Sequence, residues 1–253
     1  MVLPFWESLL GIAVTVVLAV VAVSLGAFTA WSGVVAAVFA SIIVVLAGWP
    51  YFALLLLFVI GSALATRYGF DEKRRTNLQE GTHGERGISN VLAHILIPVG
   101  LTLLAVAAPT VFPLPVVAVL FSAALAFGAA DTFASELGVL SGRARSILTG
   151  RRVIPGTNGG VSIVGETWAA AGAATTAVLA LLLFGGFADP VPPPLLLVGA
   201  VSLAGFGACQ VDSVLGEALE NRGELTKHGT NFLAMLSSVG IAAGLLLAGG
   251  YPL

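Results

Sequence analysis

Long apolar runs, separated by short polar or turn-forming segments, make up most of this chain. A membrane-spanning α-helix needs about 20 predominantly apolar residues, and eight segments approach that length. These candidate spans cover residues 6–25, 28–47, 51–66, 89–108, 115–135, 160–184, 194–214 and 231–250. The pattern predicts an all-α integral membrane protein with about eight transmembrane helices. Because the third run is short, seven spans are the alternative.

The composition supports this class. Hydrophobic residues form 58% of the 253 residues and charged residues only 9%, whereas about a quarter of a soluble domain is charged. The segment Phe5–Leu25 lacks the basic flank of a signal peptide, which favours a retained helix. Motifs are sparse in residues 1–61 and concentrated in 62–253. We therefore expect one transmembrane domain over residues 1–253, with its chemistry in the second part.

All eleven basic residues fall in three short windows, 67–86, 143–152 and 222–227. In membrane proteins, Lys and Arg collect in cytoplasmic loops. Eight spans put the loops after the third, fifth and seventh helices on one side, and these are the three basic loops. The helix count and the charge rule therefore agree. We expect a multi-pass protein of the cell membrane, with the basic loops and the active site facing the cytoplasm.

The second and third basic loops share a motif. Residues 131–136 read DTFASE and residues 212–217 read DSVLGE, so each has an Asp, a hydroxyl residue and a Glu five positions after the Asp. Gly-Thr-Asn follows in both, at 156–158 and 229–231, near the expected start of the next helix. The first loop is a weaker relative that leads to Asn90. Three helix–basic loop–helix units suggest internal duplication, which often places a shared site at the repeat interface.

Two acidic residues near helix ends are candidate metal ligands. Asp131 and Asp212 end apolar helices, where a carboxylate is costly unless it is paired or binds a cation. One interpretation is an ion pair with loop arginines. The other is a Mg²⁺ site, since Mg²⁺ binds one or two carboxylates together with water and phosphate oxygens. In a helix, Asp131 and Glu136 point about 140° apart, which disfavours the binding of one ion by both.

From this reasoning the predicted catalytic residues are Asp131, Glu136 and Asp212, and the predicted metal ligands are Asp131, Asp212 and Glu217. Glu166, in the sixth span, is expected to line the site or to pair with an arginine.

The strongest local motif is GTNGG at residues 156–160. Glycines allow close backbone approach and positive φ, and a following helix N-terminus offers free N–H groups to an anion. With Arg151 and Arg152, the segment predicts a phosphate-binding loop. It is not a Walker A sequence, because no Gly-Lys-Ser/Thr follows. The alternative is a plain helix start with Asn158 as the N-cap.

The other polar residues at the loops have two interpretations each. Asn90 and Asn231 are candidate phosphate contacts or N-caps, and Arg86 is a phosphate contact or a solvated arginine. Lys73-Arg74-Arg75 is interpreted as a solvated cluster near anionic lipid headgroups, and His94 as a packed histidine. The predicted nucleotide- or phosphate-binding set is Arg67, Arg86, Asn90, Arg151, Arg152, Gly156, Thr157, Asn158, Gly159, Gly160, Ser162, His228 and Asn231.

Three separated motifs resemble, in the same order, an integral membrane family that includes phytyl-phosphate kinase. They are ALATRYGFDEKRR…GERGISNVLAH within 63–94, DTFASELG…GRRVIPGTNGGVSIVG within 131–165 and VDSVLGEAL…HGTN within 211–231. The resemblance covers most of the chain from about Ser62. The sequence departs from the family pattern at Phe133, where Trp is frequent, and at His94, where Asn is common and a contact near Asn90 would change.

The resemblance implies transfer of the γ-phosphoryl group of a nucleotide, expected to be CTP, to an isoprenyl monophosphate such as phytyl or geranylgeranyl phosphate. Mg²⁺ is the implied cofactor. Because the acceptor phosphate is already ionised, the main obstacle is bringing two anions together, and metal and arginines would offset that repulsion. The isoprenoid tail is expected between the Gly- and Ala-rich helices, open to lipid. No nucleic-acid partner is expected.

Two other classes of function stay open. A looser similarity to dolichol and phytol kinases and to phosphatidate cytidylyltransferases allows a CTP-dependent enzyme with an alcohol acceptor, or one that releases pyrophosphate. An alcohol acceptor would need a general base, for which Asp131 or Glu136 could serve. A small-solute transporter is the third class, but it predicts charges near the bilayer midplane, whereas these charges collect at one face.

The predicted topology can be tested by cysteine labelling. After Cys209 is replaced by Ala, single cysteines at Ser141 and Asp189 should differ, because the first lies in a basic loop and the second in an outer Pro-rich turn. We expect a membrane-impermeant reagent added to intact cells to label only the Asp189→Cys variant. Equal labelling of both variants would contradict the eight-span arrangement.

Overall fold

The computed structural model describes residues 3–185 and 192–252, so Asp189 lies outside the described residues. Within these two ranges, eight helices are long and apolar enough to cross a membrane, which confirms the all-α, eight-helix prediction. The helices are α1 Phe5–Ser24, α2 Ala30–Ala47, α3 Trp49–Arg67, the short α4 Phe70–Arg75, α5 Ile88–Ala107, α6 Leu114–Gly138, α7 Ile163–Phe184, α8 Pro194–Ala218 and α9 Lys227–Ala248. The third span is a full 19-residue helix, because Trp49 and Pro50 belong to its first turn.

Helix α6 forms the centre of the bundle, and almost all of its side chains are buried. It packs against α3, α5, α7, α8 and α9. Glycines on two neighbours make the approach close: a Cβ at Gly172 of α7 would lie 2.9 Å from the Ala129 carbonyl oxygen, and one at Gly205 of α8 would lie 2.6 Å from the Ala126 Cβ. Small residues at helix contacts are how membrane bundles gain packing energy, since lipid is as apolar as the helices.

The three basic loops meet at one end of the bundle but have different structures. The first contains α4, and the third contains a 3₁₀ turn, Glu220–Arg222. The second forms a small antiparallel sheet of β1 Ala144–Ser146, β2 Arg152–Val153 and β3 Gly160–Val161, in the order β2-β1-β3. Strands of two or three residues are too short to show the alternation that predicts a strand. The repeated motifs therefore do not extend to a repeated loop fold.

The residues at which the helices begin show that none of the three asparagines is an N-cap. The N-cap of α7 is Ser162, whose Oγ accepts from the Gly165 amide at 3.0 Å, while Asn158 lies in the turn before β3. The N-cap of α9 is Thr226, and Asn231 lies one turn inside that helix. Asn90 is the third residue of α5. N-capping is therefore wrong for all three asparagines, and the side chains of Asn90 and Asn231 instead contact charged residues of the loops and of α6.

Lys73 is not part of a solvated cluster, and that prediction is wrong for this residue. Its side chain is buried, and Nζ donates to Glu136 Oε2 at 2.6 Å, to the Thr66 carbonyl at 2.7 Å and to the Ala65 carbonyl at 3.1 Å. Arg74, its neighbour on α4, is exposed. Lys73 thus ties α4 to the end of α3 and to α6.

Removing the charge of Lys73 should destabilise the protein much more than the same change next to it. Lys73→Met keeps the length of the side chain but leaves Glu136 buried without its partner, which costs about 3–5 kcal/mol. Arg74→Met, on the exposed side, should change the free energy of unfolding by less than about 0.5 kcal/mol. Thermal melting in detergent measures the difference. Equal melting temperatures for the two variants would show that the buried pair contributes nothing.

Candidate functional site

A polar cavity of about 360 Å³ lies at the end of the bundle where the three basic loops meet. Its walls come from these loops and from the adjoining turns of α5 to α9. Six carboxylates and three cations line it: Glu80, Asp131, Glu136, Glu166, Asp212 and Glu220, and Arg86, Arg143 and Lys227. The excess of carboxylates indicates a site that can hold a cation together with an anionic ligand.

Asp131 of α6 and Asp212 of α8 face this cavity from two different helices. Asn231 holds the first, since its Nδ2 donates to Asp131 Oδ2 at 3.4 Å. Asp212 Oδ1 is buried and has no hydrogen-bond partner within residues 3–185 and 192–252. A buried carboxylate oxygen without a donor is costly unless a cation satisfies it.

These two aspartates fit a Mg²⁺ ion. The described residues contain no group of three or more His, Cys, Asp or Glu side chains placed to hold a metal. Mg²⁺ does not require one, because it is typically held by one or two carboxylates and completes its shell with water and phosphate oxygens. The donor set therefore suits a hard cation shared with a phosphate ligand rather than a metal caged by protein side chains alone.

Glu217, the third predicted metal ligand, is placed elsewhere. Ser146 Oγ donates to its Oε1 at 2.5 Å, and the Leu148 amide donates to its Oε2 at 3.3 Å. Both oxygens thus hold the second basic loop against α8, and Glu217 does not line the cavity. The structure argues against a metal role for this residue.

Glu136 lines the cavity, but its two oxygens are already engaged. Oε1 accepts from Thr66 Oγ1 at 3.0 Å, and Oε2 accepts from Lys73 Nζ at 2.6 Å. Arg86 extends the network, because its Nη2 donates to Thr66 Oγ1 at 3.4 Å. Neither oxygen of this carboxylate is therefore left for a ligand. The arrangement favours Glu136 as a residue that positions Arg86 and α4.

The backbone of Arg86 is held by the turn between α1 and α2. The Arg86 amide donates to the Ala27 carbonyl at 2.9 Å, and the Arg86 carbonyl accepts from the Thr29 amide at 3.2 Å and from Ser32 Oγ at 2.6 Å. Its Nη1 lies 3.5 Å from Asn90 Oδ1. Arg86 is therefore a fixed cation, in contrast to the exposed Arg143, which also lines the cavity.

The surroundings of Arg86 affect its charge in opposite ways. Burial lowers the pKa of the guanidinium, while the carboxylates of Glu80, Glu136 and Asp131 act to raise it. A buried cation that faces several carboxylates is costly to leave without an anion. The position suits a residue that contacts a phosphate.

The Gly-rich segment 156–160 forms one wall of the cavity. Gly159 has a φ of +76°, and a Cβ there would overlap the Cβ of Glu217 and lie 2.8 Å from the Ser213 carbonyl oxygen. Glycine is therefore required where the loop crosses α8. This close packing accounts for Gly159 without a ligand, while the cavity-lining position of Asn158 and Thr157 keeps the phosphate interpretation open.

The structure brings most of the predicted site residues together and leaves five outside the cavity. Those that line it are Arg86, Asn90, Asp131, Glu136, Gly156, Thr157, Asn158, Gly159, Gly160, Ser162, Asp212 and Asn231. Those that do not are Arg67, Arg151, Arg152, Glu217 and His228. Arg67 Nη2 donates to the Leu25 carbonyl, so this arginine lies near the α1–α2 turn.

Sequence reasoning missed four charged residues of the cavity, which are Glu80, Arg143, Glu220 and Lys227. Lys227 Nζ lies 3.7 Å from Glu80 Oε2, and this partly exposed pair joins the third loop to the first. Arg143 lies in the window of four arginines, where nothing distinguished it from Arg151 or Arg152. Glu166, expected near the site, does line the cavity and accepts from Gln210 Nε2 at 2.8 Å rather than pairing with an arginine.

The fold and the cavity define an eight-helix integral membrane protein with a charged site at one end of its bundle. The chain belongs to the family described as integral membrane protein DUF92, whose model matches residues 13–245. This match covers all three basic loops and all the residues that line the cavity. No solved structure matches the chain.

Curated relatives come from an archaeon, a plant and a cyanobacterium. The chain is 30% identical to the uncharacterized membrane protein MJ0933 of Methanocaldococcus jannaschii, over 79% of this chain and 77% of the relative. It is 35% identical to protein PGR of Arabidopsis thaliana, over 70% and 67% of the two chains. It is 31% identical to the uncharacterized membrane protein sll0875 of Synechocystis, over 78% and 75%.

The close approach at Gly159 can be tested against a second glycine with a similar backbone. Gly159→Ala and Gly142→Ala both force a positive φ on alanine, at a cost of about 1–2 kcal/mol, but a Cβ at Gly142 meets open space. We expect only the first to detach the loop from α8. Trypsin cleavage at the loop arginines should be faster in Gly159→Ala, and equal rates in the two variants would contradict this packing.

Proposed function

We propose that this protein is a Mg²⁺-dependent phosphotransferase that moves the γ-phosphoryl group of a nucleoside triphosphate, CTP in the first instance, to an isoprenyl monophosphate. The observation that carries the proposal is the polar cavity itself. It joins two aspartates from separate helices, one with an unpartnered buried oxygen, to cations from all three basic loops. Membrane lipids present their headgroups at this level of a spanning bundle, so a lipid phosphate can reach the cavity.

Phosphoryl transfer makes demands that this cavity can meet. Catalysis depends on positioning and charge neutralisation more than on covalent chemistry. Arg86 is held rigidly by its backbone and by Thr66, and would bind one phosphate at a fixed point. Arg143 and Lys227 have exposed side chains that can close on a second phosphate. In such sites, hydrogen-bond donors that are held in place around the charge that develops in the transition state usually make the largest single contribution to the rate.

Asp131 and Asp212 would hold Mg²⁺, and Asn231 keeps Asp131 in place. The ion would supply neutralisation of charge on the phosphate oxygens of the nucleotide. The Gly-rich wall at 156–160 lets the backbone come near a phosphate, and Asn158 and Thr157 offer polar groups there.

The reaction balances without an added base. An oxygen of the acceptor phosphate forms a bond to the γ-phosphorus, while the bond from that phosphorus to the β,γ-bridging oxygen breaks. The nucleoside diphosphate leaves with the electron pair of that bond, and the prenyl diphosphate is the second product. The fully ionised acceptor has no proton to lose, so the engagement of Glu136 with Lys73 does not impede this reaction.

One observation favours a second candidate, a kinase with a prenyl alcohol as acceptor. Such an acceptor has a proton to lose in the reaction. His94 lines the cavity, its Nδ1 lies 2.9 Å from the Asn90 carbonyl oxygen, and its buried Nε2 has no partner in the described part of the chain. When Nδ1 carries the proton, Nε2 is left as an acceptor. The unpartnered Nε2 makes His94 a candidate acceptor for the proton of an alcohol.

A transfer assay separates the candidates. Purified protein is supplied with γ-labelled CTP, ATP, GTP or UTP, with Mg²⁺, and with phytol, phytyl phosphate or geranylgeranyl phosphate. We expect labelled prenyl diphosphate from the monophosphates and no product from phytol. Labelled phytyl phosphate formed from phytol would favour the alcohol kinase, and absence of transfer to all three acceptors would overturn the proposal.

The carboxylates give the sharpest prediction. Asp131→Asn and Asp212→Asn each remove one ligand charge with little change in volume, so turnover should fall by orders of magnitude at saturating Mg²⁺. The melting temperature should stay constant or rise, because a partly buried charge is neutralised. Asp71→Asn, on exposed α4, is the control and should leave both unchanged. If each site variant loses activity only in proportion to lost folded protein, the carboxylates are structural.

A further inference from the structure

A second cavity, of about 410 Å³, lies beside the first. Its walls come from α1, α2, α3 and α5, and nearly all of its lining is apolar. Three residues, Arg86, Asn90 and His94, line both cavities. The charged site therefore connects, at a buried arginine, to an apolar space between membrane-spanning helices.

The apolar cavity is long enough for a hydrocarbon chain. Along α1 its lining runs from Leu25 to Thr15, ten residues or about 15 Å of helix. Thr15 Oγ1 lies 2.6 Å from Ser41 Oγ, and this hydrogen bond joins α1 to α2 at that depth. Small side chains such as Ala37 and Ala63 leave the space between the helices open.

The N-terminal hairpin of α1 and α2 is attached to the charged site. The Arg86 amide and carbonyl bond to the turn between these helices, at Ala27 and Thr29, and Ser32 Oγ donates to the same carbonyl. A shift of the hairpin would therefore shift Arg86. The same residue thus fixes both the entrance of the apolar cavity and a cation of the polar cavity.

We infer that the apolar cavity binds the hydrocarbon chain of a phosphate-headed lipid, whose headgroup lies at Arg86, Asn90 and His94. This inference deepens the proposed function and rests on it, since the lipid is the acceptor. An anionic headgroup would neutralise the buried guanidinium, and the apolar walls would cover a single chain. The wall of α1, α2 and α3 then selects acceptors by chain length.

The occupant is a single-chain phosphate rather than a bulk membrane lipid because the residues shared by the two cavities are polar and include the buried Arg86. His94 stacks against Phe58, with ring centroids 5.9 Å apart, and a Cβ at Gly128 would lie 3.0 Å from Phe58 and 3.2 Å from His94. The aromatic pair is thus packed firmly against α6 at the junction. A lipid that occupies both cavities therefore lies against His94 and Arg86, which line both.

Photo-crosslinking tests the chain site without using turnover. The probe is geranylgeranyl monophosphate with a diazirine at the far end of its chain, added to the full-length protein in phosphatidylcholine nanodiscs. We expect labelled peptides from α1, α2 or α3, and at least a fivefold loss of label when unmodified geranylgeranyl phosphate competes. Label that is not displaced, or that maps only to other helices, would show occupation by bulk lipid or another site and overturn the inference.

A matched pair of variants on α3 adds a second readout. Ala63 lines the cavity, and Ala53, on the same helix and also half-buried, does not. Ala63→Phe should lower the displaceable label at least fivefold and raise the KM for geranylgeranyl phosphate about tenfold, with the KM for the five-carbon isopentenyl phosphate unchanged. Ala53→Phe should leave the displaceable label and both KM values close to those of the wild-type protein. Equal effects of the two variants would count against the chain site.

The two hypotheses fail in different ways. If the wild-type protein transfers no phosphate but shows displaceable label that Ala63→Phe removes, the proposed reaction is wrong and the chain site stands. If phosphate transfer is normal but Ala63→Phe changes neither the label nor the KM for the long acceptor, the reaction stands and the chain site is wrong.

Discussion

A charge at the end of a membrane-spanning helix has to find a partner close by, because neither lipid nor a packed interior solvates it. This constraint organises the charged end of the bundle. Lys73 and Glu136 neutralise each other at 2.6 Å where α4, α3 and α6 meet. Arg86 is tied to the same network through Thr66. Asp212 is the exception, with one buried oxygen unpartnered in the described residues, and that exception marks the candidate cation site.

The repeated Asp-to-Glu motif has a common physical logic in its two copies. In each copy the aspartate faces the polar cavity, and the glutamate five residues later accepts hydrogen bonds from a loop. Glu136 accepts from Lys73 of α4, and Glu217 accepts from Ser146 of β1. An angular separation of about 140° allows this division of roles. The motif therefore leaves one carboxylate facing the cavity and uses the other to fix a basic loop.

The features of the fold that were predicted correctly from the sequence depend on local properties of the chain. The eight spans follow from runs of apolar residues, and the meeting of the basic loops follows from their alternation along the chain. The predictions that the structure corrects concern residues whose roles are set by tertiary contacts. Lys73 has the same local sequence character as Arg74, and only the fold places its ammonium under the end of α3. Equally, Glu217 and Asp212 look alike as ligands until the second loop occupies both oxygens of Glu217.

The division of the chain into a motif-poor start and a motif-rich remainder has a structural explanation. Helices α1 and α2 contribute apolar walls, and apolar walls have no sequence motif beyond small side chains at a few positions. Their link to the charged site is made by Ser32 Oγ and by backbone groups around Arg86, and the backbone groups could be supplied by most residue types at 27 and 29. A segment that binds a hydrocarbon chain can therefore be poor in recognisable motifs and still form half of a site, since hydrophobic recognition depends on buried area and shape rather than on particular polar groups.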